Sequence, residues 1–241
     1  MNPKRLWGAA GGPDADWIRP HVLWLPQDQP HVVSYLHEIA EVVSPYADIV
    51  APVAEADWHW TIQAARAHAA DGQRADCDRM EAAAQHLQEQ LDTVASFEIY
   101  LGPAAASRSA VITRIVPVCE AAVPDPATVL NQRVRAGLAA AGLDMAAASE
   151  SHWGHLTSAY GRVDTGKGQL GDRSDQLASA LVHRVRRHIT VTVDSVWLVW
   201  ERQHPREARY GFERICQVHL GGMPVPGRPD RASSHRCEGA R

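Results

Sequence analysis

Two triplets in this chain place an imidazole two residues before a hydroxyl: His59-Trp60-Thr61 and His155-Leu156-Thr157. On an extended strand, residues two apart share a face, so each triplet presents a histidine beside a threonine. Two such strands facing each other would gather two imidazoles and two hydroxyls around one small cavity. That set suits phosphodiester chemistry without a metal. A neutral imidazole takes a proton from the attacking water or hydroxyl, and a protonated one gives a proton to the departing oxygen. The hydroxyls donate hydrogen bonds to the non-bridging oxygens as charge builds in the transition state.

Chance must be weighed first. Thirteen histidines and 21 serines or threonines in 241 residues give about one such triplet at random, and the chain holds three, the third being His188-Ile189-Thr190. A single strand histidine is ordinarily half-buried and satisfied by its neighbours. The pairing of two triplets in matching settings is what sets His59 and His155 apart.

The elements that must hold them can be read from pattern. Residues 21–26 form a strand and 28–44 an amphipathic helix ending at Pro45; 57–65 carry the first triplet on a strand; 73–94 are a long helix of strong helix formers. Strands over 96–102 and 109–118 make a hairpin, a helix over 126–141 stops at Gly142, and 152–163 carry the second triplet on a strand. A helix over 172–187 and the strands of 188–203 and 208–220 complete the order, which argues an α+β fold in two similar halves. Residues 1–20 and 221–241, rich in Gly, Pro and polar side chains, read as flexible and disordered tails flanking one domain over 21–220.

Composition narrows the class. A net charge of -4 gives no global pull toward nucleic acid, so any polyanion must be held by local groups, and 22 of the 24 basic residues are arginines, whose fork suits phosphate. No apolar run approaches a signal peptide or a membrane span, so a cytoplasmic protein with no membrane partner is expected, with monomer as the default. Cys77, Cys119, Cys216 and Cys237 lack metal-site spacing, and no metal or cofactor is expected. Gly161 to Gly168 matches G-x-x-x-x-G-K, but Gly168 replaces the hydroxyl residue that would meet magnesium, so the segment reads as a turn. Its Lys167, with Arg162, sits where a cleft lip could meet phosphate. His152 and His155, three apart on a strand, point to opposite faces and do not make a metal pair. By strand parity Trp58 and Trp60 point away from His59, whereas Trp153 shares the face of His155 and is a candidate for base stacking.

The paired triplets, each in a similar strand and helix setting, resemble the 2H phosphoesterase superfamily, in particular its 2'-5' RNA ligase-like branch, over residues 20–220. The ending resembles that family too: an apolar strand, a polar turn, then Tyr210 leading the last strand. The resemblance implies a two-lobed, pseudo-symmetric fold with antiparallel sheets around a central cleft. It implies hydrolysis of 2',3'-cyclic or 2'-5' phosphodiesters on RNA ends or nucleotides, with reversible 2'-5' ligation in some members. It makes His59 and His155 the acid–base pair, His155 as base and His59 as acid in hydrolysis, with Thr61 and Thr157 as phosphate clamps; His188 is then a decoy. Where many relatives carry an apolar residue and then an arginine after the second triplet, this chain has Ser158 and Tyr160. Tyr160 joins the substrate-contact candidates, and the positive phosphate contact is unassigned. The alternative is a non-catalytic protein that binds nucleotides or RNA ends in the same cleft.

Overall fold

In the computed structural model, residues 17–66, 68–69, 73–118, 125–145, 154–166, 168–204 and 209–221 are described. They form β1 (Trp17–Trp24), α1 (Pro30–Val43), β2 (Val50–Pro52), β3 (Trp60–Ala64), β4 (His68–Ala69), α2 (Gln73–Leu91), β5 (Phe97–Ala106), β6 (Ala110–Pro117), α3 (Pro126–Ala140), β7 (His155–Gly161), α4 (Gln169–Arg184), β8 (Ile189–Val193), β9 (Ser195–His204) and β10 (Arg209–His219). The order expected from sequence is the order found, with β2 and β4 added and the run 188–203 divided into β8 and β9, which lie apart in the sheet. The first strand starts at Trp17, so residues 17–20 belong to the sheet rather than to a tail. At the other end the Gly221 amide donates to the Leu91 carbonyl at 2.8 Å. A Cβ at 221 would lie 1.6 Å from the Asp92 carbonyl oxygen, so this contact needs glycine.

Among the described residues all strand pairings are antiparallel, and the main path across the sheet runs β10-β9-β1-β3-β7-β6-β5-β8. The antiparallel strands thus form one curled sheet, joined at its middle by β3 and β7. Helices α2 and α3 pack on each other and on β10 and β3, while α1 and α4 pack on β7, β5 and β8. In α1 the buried positions Val32, Tyr35, Leu36, Ile39, Val42 and Val43 recur every three or four residues, the stripe that faces the sheet. Asp125 caps α3, its carboxylate accepting from the Ala127 and Thr128 amides, with Pro126 at the first helical position. The core lies between helices and sheet, and includes Trp24, Trp60, Ile99, Leu156 and Leu198. The opposite sheet face holds a second, smaller apolar cluster of Leu23, Leu25 and Val199, against which Trp197 and Phe212 pack.

Candidate active site

β3 and β7 pair at a single position, Trp60 with Leu156, the middle residue of each triplet. Carrying that register one residue either way sets His59 opposite Thr157 and Thr61 opposite His155, a near-twofold arrangement about one residue pair. Gly154 lets the strands approach: a Cβ there would lie 3.0 Å from Ile115 Cβ and 3.1 Å from the Trp60 indole. Trp60 and Leu156 are buried in the core, which by parity turns the four motif side chains to the other face. His59 and His155 are close enough that a charge on one disfavours a charge on the other.

Strict alternation would turn Tyr160 away from Thr157. A bulge corrects this: Ile112 pairs with Thr157 but Val111 with Ala159, leaving Ser158 as the extra residue in β7. Tyr160 thus returns to the motif face, where its phenol is hydrogen-bonded to the hydroxyls of Tyr210 and Thr157, and burial pushes its pKa up to about 12. Ser158 is left with a buried hydroxyl that has no hydrogen-bond partner.

His59 sits in an aromatic corner. Its ring meets Phe212 edge-on with centroids 4.8 Å apart, and Tyr210 at 5.9 Å. Its Nδ1 lies 2.7 Å from the Asp57 carbonyl oxygen, so Nδ1 carries a proton and donates, leaving Nε2 as the working nitrogen. Burial lowers its pKa to about 4, against the opposing pull of the Asp57 carbonyl and the Glu201 carboxylate.

Sequence reasoning missed Arg19, His21 and Glu201. Glu201, 1% exposed, takes a two-pronged Arg19 guanidinium at 3.1 and 3.2 Å and pairs with His21 Nδ1. Cross-strand register builds the set: Glu201 lies opposite Arg19 on one side and Phe212 on the other. His21 is fully buried, which lowers its pKa despite Glu201. The signals in the sequence were a histidine opening the apolar run 21–26 and a glutamate closing the run of β9. Only the strand register, however, brings them to one place.

The remaining candidates fall as follows. Trp58 and Trp60 are core residues, as parity required. His188 lies against Tyr100, ring centroids 4.7 Å apart, rather than with the pair. Arg162 is exposed and donates to the Ala47 carbonyl oxygen at 3.2 Å. Trp153, Lys167 and His152 lie outside the described residues. A cavity of about 520 Å³, lined by Leu25, Glu98, Thr192, Asp194 and Trp197 among others, contains none of the motif residues. Among the described residues no three His, Cys, Asp or Glu side chains gather as a metal site, and no helix is long and apolar enough to cross a membrane.

No family model and no curated protein matches the sequence. Solved structures do match. TT0787 of Thermus thermophilus superposes with a TM-score of 0.57 at 14% identity, over 86% of this chain and 100% of that one. LigT of E. coli, solved with 3'-AMP, gives 0.53 at 12% identity over 86% and 99%. ATU0111 of Agrobacterium tumefaciens gives 0.53 at 11% identity over 92% and 94%. At these identities the likeness is one of fold.

Proposed function

We propose, for a chain that has the 2H phosphoesterase fold, that it is a phosphodiesterase acting without a metal on 2',3'-cyclic or 2'-5' phosphodiesters of RNA ends or nucleotides. One observation carries the reading: the two His-x-Thr triplets meet about the Trp60–Leu156 pair of adjacent antiparallel strands, with His59 in the residue just before β3. The 3'-AMP bound to LigT supports a nucleotide-bearing substrate.

In hydrolysis His155 takes a proton from water as its oxygen attacks phosphorus. His59 Nε2 gives a proton to the ester oxygen that leaves, so the ring opens to a phosphomonoester and a free hydroxyl. Thr61 and Thr157 donate to the non-bridging oxygens, where charge accumulates. Burial keeps His59 neutral in the free protein at neutral pH. Its acid role then depends on the phosphate's negative charge, which raises the histidine pKa when substrate sits beside it. With a 5'-hydroxyl in place of water as the attacking group, the same proton transfers open a 2',3'-cyclic phosphate to a 2'-5' phosphodiester and a free 3'-hydroxyl, which is the ligation route.

The test is turnover of 2',3'-cyclic AMP and of RNA bearing a 2',3'-cyclic phosphate end, in EDTA. His59→Ala and His155→Ala each abolish turnover while His188→Ala retains it. Wild-type activity that disappears on chelation, or that survives loss of either histidine, refutes the mechanism.

A further inference from the structure

Among the described residues the two triplets bring no cation to the phosphate, and Arg162 is engaged by the Ala47 carbonyl. We propose that Arg114 on β6 is that cation, a phosphate-binding residue that contacts the substrate directly; the proposal rests on the phosphodiesterase reading above. In the β6–β7 register Arg114 stands directly opposite His155, and Ile112 opposite Thr157. Residues directly opposite in an antiparallel pair share a face, with Cβ atoms about 4.5–5.5 Å apart. Arg114, His155 and Thr61 therefore form one row across three neighbouring strands, on the face that carries the motif side chains.

Arg114 is exposed, and among the described residues its guanidinium has no carboxylate, carbonyl or ring partner. Other arginines of this side are committed: Arg19 is forked onto Glu201, and Arg214 lies over the Trp197 ring and beside Asp28. An arginine on an exposed strand commonly pairs with a carboxylate across the ladder, yet here its cross-strand neighbour is a histidine that the mechanism uses. A planar fork with free donors matches two phosphate oxygens at once, which a lysine at the same place would do less well. It also neutralises charge that the buried side of the site cannot, since Glu201 there is an anion.

The experiment compares wild type, Arg114→Gln, Arg114→Lys and Arg186→Gln, the last removing an arginine that pairs with Glu38 on α1. The readouts are KM and kcat on 2',3'-cyclic AMP, inhibition by inorganic phosphate, and thermal melting to establish folding. Losing a charge-assisted contact predicts that Arg114→Gln raises KM and the phosphate inhibition constant roughly ten- to hundredfold, with Arg114→Lys between and Arg186→Gln at wild type. Wild-type KM and phosphate inhibition in folded Arg114→Gln overturn the assignment. If wild type turns over no cyclic phosphate, the phosphodiesterase reading fails separately, and phosphate binding followed by 31P NMR decides Arg114. Binding weakened in Arg114→Gln supports the site, whereas binding unchanged by the substitution, or absent from wild type, overturns it.

Discussion

The rings of His59 and Phe212, from distant parts of the chain, meet edge-on, 4.8 Å between centroids and inclined at 65°. This contact is part of the enclosure that strips water from the imidazole and lowers its pKa to about 4.

Stability should follow from that enclosure. A histidine whose folded pKa lies below its unfolded value of about 6.5 binds protons more readily when the chain unfolds. Its contribution is complete above that unfolded value and is lost as pH falls through the folded pKa near 4. Urea titrations between pH 7 and 4 are expected to show a loss of up to about 3 kcal/mol from this residue. The downward shift of His21 adds in the same direction. In His59→Gln the slope flattens, and an unchanged slope would show that the imidazole is solvated.

Catalysis should show the same group in a different state. The free protein holds His59 neutral, while a bound phosphate favours its charged form. The alkaline limb of kcat/KM, which reports the free protein, is thus expected at lower pH than the limb of kcat, which reports the complex. Coincident limbs would argue that substrate leaves His59 unperturbed.

Replacing Glu201 by glutamine keeps the shape and removes the anion between Arg19 and His21. Breaking one side of a buried charge network costs about 3–5 kcal/mol. The denaturation midpoint of Glu201→Gln should drop accordingly, and the His59 resonance should titrate at still lower pH, because Glu201 pulls it upward. A variant as stable as wild type would mean that the carboxylate is not needed there.

Ser158 offers a gain instead. Its buried hydroxyl has no partner, and an unsatisfied buried hydroxyl costs about 1–3 kcal/mol. Ser158→Ala is expected to stabilise the chain by about 1 kcal/mol in chemical denaturation, with turnover kept. Destabilisation would imply that the hydroxyl is hydrogen-bonded within the bulge.

The sequence made some of this visible and hid the rest for physical reasons. The triplets are local, so the parity that joins His59 to Thr61 and buries Trp58 and Trp60 needed only strand geometry. The helices α1 and α2 carry long periodic patterns, whereas β2 and β4, three and two residues long, are too short to show one. Tyr160 reached the motif face through a bulge, and a bulge leaves no trace in alternation until the partner strand is known. Arg114 and Glu201 were illegible for a stronger reason: each matters through a neighbour on another strand, His155 for one and Arg19 for the other, and register is a property of the assembled sheet.

The seam between β3 and β7 is a single residue pair. One half of the sheet carries His59 and Thr61, and the other carries His155 and Thr157. On the proposed function, a phosphate gripped by all four side chains would act as a staple across this one-rung joint of the sheet. Such a ligand would complete a tertiary contact that backbone pairing leaves at one rung, so that substrate affinity and the mechanical coherence of the two halves would become one quantity.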